Sequence, residues 1–252
     1  MSASRRILGV FSVPEVMAMA IPILCVASLN ISKKPLLGFV HLLGRDNGCS
    51  LARALDSEAQ VERQNRIYDD IGKNARVELD KKANLVKWTT SWGVFWAPPA
   101  TSVPFLIGEQ KTRAYGDGPR RVQKGDVVLD CGANIGLYTL DALKRGAARV
   151  VAIEPALDNV ECLHRNLASY VDAGRVVICP KGVWNKEDVL PLNVQPSNTA
   201  SYSVALKYRG AAPGPYVQLT TIDELVRELK LERVDYIKMD IEGRPAPPKP
   251  EL

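Results

Sequence analysis

The second half of the chain alternates short apolar runs with amphipathic stretches, a pattern typical of a parallel sheet covered by helices. The apolar runs are rich in Val and Ile, so they are predicted to be buried strands. The predicted strands span 126–131, 149–153, 175–179 and 234–239. Apolar residues recur at three- and four-residue spacing between them, which predicts helices. The predicted helices span 136–145, 155–171 and 221–230.

Two local features refine this α/β pattern. Thr221 and Glu224 have the spacing of a capping box, which marks the start of the last predicted helix. The less regular stretch 185–218 is expected to add one strand at 188–194 and a loop rich in Gly and Pro near 210–215.

The first half has a different pattern. Residues 50–82 are rich in Ala, Leu, Glu and Arg and are predicted to form one or two surface helices. Residues 85–97 are predicted to form two short strands joined around 91–93, followed by a linker helix within 84–121. The hairpin tryptophans could offer a stacking platform to a substrate, but aromatic strand residues more often pack in a core. These tryptophans are Trp88, Trp92 and Trp96.

The N-terminal region, 1–83, begins with an apolar segment before the predicted helices. Its longest nearly uncharged part, 16–29, is too short to span a bilayer. Basic residues precede it as in a signal peptide, but Glu15 interrupts the run and no small-residue cleavage site follows. We therefore expect a cytoplasmic protein in which this segment packs or forms a terminus, while membrane association stays open.

Composition and charge exclude several classes of function. The chain has 252 residues, 46% hydrophobic and 24% charged, which is typical of a soluble globular protein. Its 33 Lys and Arg against 28 Asp and Glu are scattered along the chain, so nucleic-acid binding is not indicated. Five cysteines without a CxxC pair indicate reduced thiols, and two histidines are too few for a His-rich metal site. No metal is predicted.

The strand at 127–131 runs into a glycine-bearing turn and then a helix. Gly132 allows a tight turn and close approach to a ligand, and Gly136 is expected to let the helix start lie against the strand. The N–H groups at the start of that helix favour a polar or anionic ligand. Such a turn could serve NAD, FAD, another nucleotide or S-adenosylmethionine.

A carboxylate at the tip of the next strand narrows the choice of ligand. Glu154 follows Asp130 by 24 residues, which is where a ribose would lie, and can accept bonds from both ribose hydroxyls. Asp130 would repel a pyrophosphate but suits the amino group of a methionine moiety. The alternative for Glu154 is a solvated acid favoured by the helix dipole. Together with the turn, Glu154 favours S-adenosylmethionine over NAD.

Four segments, in this order and spacing, resemble FkbM-family methyltransferases. They are 128–136 (VLDCGANIG), 152–155 (AIEP), 221–225 (TIDEL) and 235–243 (DYIKMDIEG). The resemblance covers about half the chain, within 122–243, and implies a Rossmann-like sheet and S-adenosylmethionine-dependent O-methylation. The methyl acceptor would be a hydroxyl on a small molecule, lipid or sugar.

The resemblance also assigns site residues by position. It implies a methionine end lined by Asp130, Gly132, Asn134 and Gly136. It implies that Glu154 binds the ribose, and that the adenine side is formed by Lys181, Gly182 and Val183. Asp240 and Glu242 would lie beside the reacting methyl group.

One of these last two carboxylates is expected to orient the acceptor or take its proton. Alternation in an extended segment sends Asp240 and Glu242 to the same face. The competing interpretation is that Asp240 only caps the following loop and Glu242 is solvated.

The C-terminal segment departs from the family pattern. The family continues with a helix and three further strands, whereas 244–252 contains four prolines, which predict an extended tail. The expected sheet is therefore incomplete, with strand order 3-2-1-4 and an apolar edge strand at 234–239. This predicts little or no activity and self-association through that edge. The alternative function is a non-catalytic remnant or binding module that retains part of the cofactor site.

Overall fold

A computed structural model of the chain describes residues 6–7, 11–12, 51–112, 115, 121–195, 198–204 and 214–241. The apolar segment 16–29, the loop 210–213 and the proline-rich tail 244–252 lie outside these residues. The chain divides into two compact units, Met1–Arg63 and Gln64–Leu252. No helix within the described residues is long and apolar enough to cross a membrane.

The first unit contains two short strands, β1 (Arg6–Ile7) and β2 (Phe11–Ser12), which pair antiparallel. Helix α1 (Leu51–Asn74) begins in this unit and ends in the second. Its existence confirms the prediction of a helix after residue 50.

The second unit opens with a three-stranded antiparallel sheet. Its strands are β3 (Arg76–Asp80), β4 (Leu85–Thr90) and β5 (Gly93–Ala97), in the order β3-β4-β5. The predicted hairpin is confirmed, but the prediction of helix through residue 82 is wrong for 76–80. That segment pairs along its whole length with β4, and this pairing overrides its helical composition.

The hairpin tryptophans pack against a core cluster built around Phe95, Ile107 and Ile135. Cations lie over two of the rings, with Lys111 Nζ 4.9 Å from the centroid of Trp92. Core packing is therefore the observed arrangement of all three tryptophans. Helix α2 (Val103–Thr112) follows the hairpin, where the linker helix was predicted.

The central sheet has four parallel strands in the order β14-β6-β7-β8. The strands are β6 (Val127–Cys131), β7 (Arg149–Ile153), β8 (Val176–Cys179) and β14 (Tyr236–Met239). This confirms the predicted order 3-2-1-4 and the Rossmann-like α/β class. Its cysteines Cys131 and Cys179, like Cys162, are buried free thiols.

Four helices accompany this sheet. They are α3 (Leu137–Lys144), α4 (Leu157–Asn166), α5 (Ala168–Asp172) and α6 (Ile222–Glu228). The prediction of one helix over 155–171 is wrong, because Leu167 leaves helical torsion angles (φ −115°, ψ 10°) between α4 and α5. The capping prediction is confirmed, since the Thr221 side chain accepts a hydrogen bond from the Glu224 backbone N–H at 3.1 Å.

Smaller sheets lie between β8 and α6 in the chain. β9 (Gly182–Val183), β10 (Asp188–Pro191) and β13 (Tyr216–Thr220) form one sheet in the order β10-β13-β9. β11 (Asn193–Gln195) pairs with β12 (Asn198–Ser203). The single strand predicted at 188–194 is thus two strands with different partners, separated at the buried Leu192.

Candidate functional site

The turn after β6 closely approaches the backbone that follows β14. Gly132 has φ +77°, and a Cβ there would lie 2.1 Å from the carbonyl oxygen of Asp240. The N–H groups of Gly132 and Ala133 both donate to the Ile153 carbonyl at 3.0 Å. Only glycine fits this position, and the turn is held at the ends of β6, β7 and β14 together.

Gly136 makes room for the side chains of two leucines. Its φ is +90°, and a Cβ there would lie 2.9 Å from Leu163 Cδ2 and 3.0 Å from Leu167 Cδ1. It therefore lets the start of α3 lie against Leu163 of α4 and against Leu167, which follows that helix. Gly136 is not among the residues that line the cleft described below.

Glu154, at the tip of β7, is buried and accepts hydrogen bonds from the chain itself. Its Oε2 accepts from the Asn134 N–H at 2.8 Å, and its Oε1 from the Ala156 N–H at 3.0 Å. Burial raises the pKa of Glu154 to about 7, while these two bonds and, to a smaller extent, the Asn159 side chain lower it. The carboxylate thereby ties the glycine turn to the start of α4.

Asp130 lies behind the turn and is neutralised by Lys238. The Lys238 Nζ is 3.2 Å from Asp130 Oδ1 and donates to the Gly132 carbonyl at 2.7 Å. Thr139 Oγ1 donates to the other carboxylate oxygen of Asp130 at 2.7 Å. Asp130 is fully buried and does not line the cleft, so its contribution to a methionine end would be made through the shape of the turn.

Asp240 follows β14, and its carbonyl lies against the turn at Gly132. Its Oδ2 accepts a hydrogen bond from the Tyr115 hydroxyl at 2.6 Å and lies 4.0 Å from Lys238 Nζ. The Tyr236 hydroxyl donates to the Tyr115 carbonyl at 2.8 Å, which anchors Tyr115 to β14. The Asp240 side chain is thus bound to Tyr115. Glu242 lies outside the described residues.

A second carboxylate, Glu109 of α2, lines the cleft with Asp240. Burial raises the pKa of Glu109 to about 7, with a further contribution from the negative charge of Asp240 that Lys238 partly offsets. Near neutral pH the Glu109 carboxyl is therefore divided between its protonated and ionised forms.

The residues predicted to form the adenine side lie in β9 and directly before it. Gly182 and Val183 are buried, and a Cβ on Gly182 would lie 2.6 Å from Leu219 Cδ2. The Lys181 ammonium is held by both carboxylate oxygens of Glu228, at 2.8 and 2.7 Å. Lys181 therefore lines the cleft with its stem while its charge is already paired.

One cleft brings most of the predicted residues together. Those that line it are Gly132, Asn134, Glu154, Lys181, Gly182, Val183 and Asp240. Sequence reasoning missed other lining residues, which include Glu109, Tyr115, Tyr138, Asn159, Trp184 and Lys238. A lysine within the apolar run 234–239 was a usable signal, because a buried ammonium requires a partner. Tyr115 and Glu109 carried no such signal.

The described residues also contain one cluster of three carboxylates, Glu187, Glu224 and Glu228. Lys181 binds Glu228 and Arg227 binds Glu224, so ion pairs account for two of its members. It supports no metal assignment.

Comparison with known proteins gives one family match. Residues 130–244 match the family described as the Methyltransferase FkbM domain. A solved Methyltransferase FkbM from Methylobacillus flagellatus is 17% identical, covering 75% of this chain and 43% of that one, with a TM-score of 0.34. The M. jannaschii tRNA m1G37 methyltransferase is 19% identical, covering 42% of this chain and 34% of that one, with a TM-score of 0.30. The chain thus spans less than half the length of either protein. No curated protein matches the chain.

Proposed function

We propose that this chain, whose residues 130–244 belong to the FkbM methyltransferase domain family, binds S-adenosylmethionine and transfers its methyl group to a hydroxyl oxygen. The observation that carries the proposal is the cleft at the carboxyl ends of β6, β7 and β14. In open parallel sheets, ligands bind at this end, where the strand order reverses. Here the reversal lies at β6, between β7 and β14.

The polar groups of the cleft fit such a cofactor. Within the described part of the chain, Asn134 and Asn159 each leave a buried side-chain oxygen without a hydrogen-bond donor. Both residues line the cleft beside Glu154. Acceptors of this kind require donors, and the hydroxyl and amino groups of an adenosyl ligand can supply them.

Each part of the cleft has a proposed role toward the cofactor. Glu154 accepts from the ribose, and the β9 segment with Lys181, Gly182 and Val183 forms the adenine side. Gly132 and Asn134 face the methionine end, while Asp130 and Gly136 fix the turn from behind. When bound, S-adenosylmethionine supplies a methyl group activated by its sulfonium. The chain therefore has to bind the cofactor and the methyl acceptor, orient them toward each other, and exclude water.

The acceptor side is formed by Asp240 and its neighbours. Tyr115 holds Asp240 Oδ2, which leaves Oδ1 to accept the proton of an acceptor hydroxyl or to orient it. Glu109 offers a second carboxyl whose pKa of about 7 suits proton exchange at neutral pH. Glu242 remains a proposed partner of Asp240. A hydroxyl of a small molecule, lipid or sugar fits this set of acceptors.

Calorimetry with S-adenosylhomocysteine and with NADH tests the proposal. We expect the first to bind with one site and NADH not to bind. Glu154→Ala should weaken binding at least tenfold, since a hydrogen bond to a charged group contributes about 1.5–3 kcal/mol. Glu161→Ala is the matched control, because Glu161 is exposed on α4 and bound to Arg165. Binding of NADH instead, or an unchanged affinity of Glu154→Ala, would refute the assignment.

Transfer itself is tested by Asp240→Asn. The variant should keep its affinity for S-adenosylhomocysteine and lose most methyl transfer to hydroxyl-bearing acceptors. Tight binding by the unmodified chain without transfer to any acceptor tested would favour a binding module over an enzyme.

A further inference from the structure

The hydrogen-bonding capacity of Glu154 is nearly filled by the chain itself. An ionised carboxylate offers about four lone-pair sites. Backbone N–H groups of Ala156 and Asn134 take two, and the Asn159 side-chain amide faces a third. One site remains, whereas a ribose presents two neighbouring hydroxyls. While these bonds persist, Glu154 can serve only one of them, so the other needs a different acceptor.

Asn159 lies where that acceptor is needed. It is 1% exposed, stands in the first turn of α4 and lines the cleft with Glu154. Its side chain acts as a hydrogen-bond donor that lowers the pKa of Glu154, and within the amide only the nitrogen can donate. The amide oxygen is buried and meets no hydrogen-bond donor among the described residues. Buried polar atoms without a partner are rare and commonly await a ligand or water.

The acceptor character of Glu154 favours one orientation of the Asn159 amide. Exchanging its oxygen and nitrogen would set an oxygen acceptor against the Glu154 carboxylate, which is also an acceptor. Asn134 has an unpartnered side-chain oxygen too, but it contacts Glu154 through its backbone N–H. Of the two residues, only Asn159 acts on the pKa of Glu154 through its side chain.

We propose that Asn159 Oδ1 accepts a hydrogen bond from one ribose hydroxyl of the cofactor while Glu154 accepts from the other. The pair then recognises a vicinal diol, and Asn159 is a specificity-determining residue for ribose over deoxyribose. This inference rests on the proposed function, because it assumes a nucleoside in the cleft.

The test combines protein and ligand changes. The affinities of the unmodified chain and of Asn159→Ala are measured by calorimetry for S-adenosylhomocysteine and for its 2′-deoxy and 3′-deoxy analogues. Asn159→Ala should lower the affinity for S-adenosylhomocysteine about tenfold, because one well-made hydrogen bond is lost. It should lower the affinity for one of the two analogues less than about twofold, because that analogue lacks the hydroxyl from which Asn159 would accept a hydrogen bond.

Glu154→Ala should show the reverse dependence, with little loss of affinity for the other analogue. Glu161→Ala, on the exposed side of the same helix, should leave all three affinities unchanged. An equal loss for all three ligands in Asn159→Ala would assign Asn159 a structural role only and overturn the proposal. No loss at all would also overturn it. If the unmodified chain binds none of the three ligands, the proposed function itself is wrong.

Two further measurements cover a variant that fails to fold. Asn159→Ser keeps an oxygen acceptor in a smaller side chain and should show the same ligand dependence in weaker form. The unmodified chain alone should lose about tenfold in affinity for each deoxy analogue. Equal affinity for S-adenosylhomocysteine and both analogues would overturn the proposal without any substitution.

Discussion

Replacing Lys238 with methionine removes the buried cation that neutralises Asp130. The two side chains are 5% and 0% exposed, and Nζ lies 3.2 Å from the Asp130 carboxylate. Methionine has similar length and can occupy the same space beside the rings of Tyr115 and Tyr138. The variant therefore removes the charge and the hydrogen bond to the Gly132 carbonyl while it retains most of the packing.

The expected loss of stability follows from leaving Asp130 without a counter-charge. Removing one partner of a buried ion pair costs about 3–5 kcal/mol, a large part of a domain stability of about 5–15 kcal/mol. Thr139 still donates to Asp130 but carries no charge.

Urea unfolding at pH 7 measures this loss. Lys238→Met should lose about 3–5 kcal/mol, and Asp130→Asn in the same chain should recover much of that loss. Lys181→Met is the matched control. Its pair with Glu228 is 21% and 39% exposed, so the cost should stay below about 1 kcal/mol. A loss below about 1 kcal/mol for Lys238→Met, or no recovery in the double variant, would show that the pair of Lys238 and Asp130 does not stabilise the fold.

Three other predictions follow from single positions. Gly132→Ala should abolish folding or S-adenosylhomocysteine binding, because the added Cβ would clash with the Asp240 carbonyl. The control is Gly125→Ala, which also has a positive φ but open space around the added Cβ, and it should only lower the melting temperature. Burial raises the pKa of Glu154 from 4.5 to about 7, so the free energy of unfolding should fall by roughly 3 kcal/mol between pH 5 and pH 8. Glu154→Gln should remove most of this fall, and an unchanged pH profile would contradict the prediction. Light scattering should detect self-association through β14, which has one strand neighbour among the described residues and exposes Met239, and Met239→Lys should reduce it.

The order of the central sheet could be predicted because each of its strands is recognisable from its own short stretch of sequence. Each strand is a short Val- and Ile-rich run, and strand–helix alternation leaves few topologies. The Thr221 cap was equally local, since the hydroxyl reaches an N–H only three residues away. Segment 76–80 was missed because its strand state depends on pairing with β4, which its own composition does not encode.

The residues of the candidate site could be predicted only where they lie at the end of a strand that the sequence itself indicates. Gly132, Glu154 and Asp240 each end a predicted strand, so their meeting in one cleft follows from parallel topology. Tyr115 reaches Asp240 across 125 positions of sequence, and Glu109 comes from a helix outside the family match. No periodicity links these segments. The partial filling of Glu154 by backbone N–H groups also required the folded turn.

A crystal structure of the chain with S-adenosylhomocysteine would locate the ligand in the cleft. We expect the ribose between Glu154 and Asn159, the adenine against the β9 segment, and the homocysteine end over the turn at Gly132 and Asn134. A nucleoside bound elsewhere, or a cleft that stays empty at saturating ligand, would contradict this expectation.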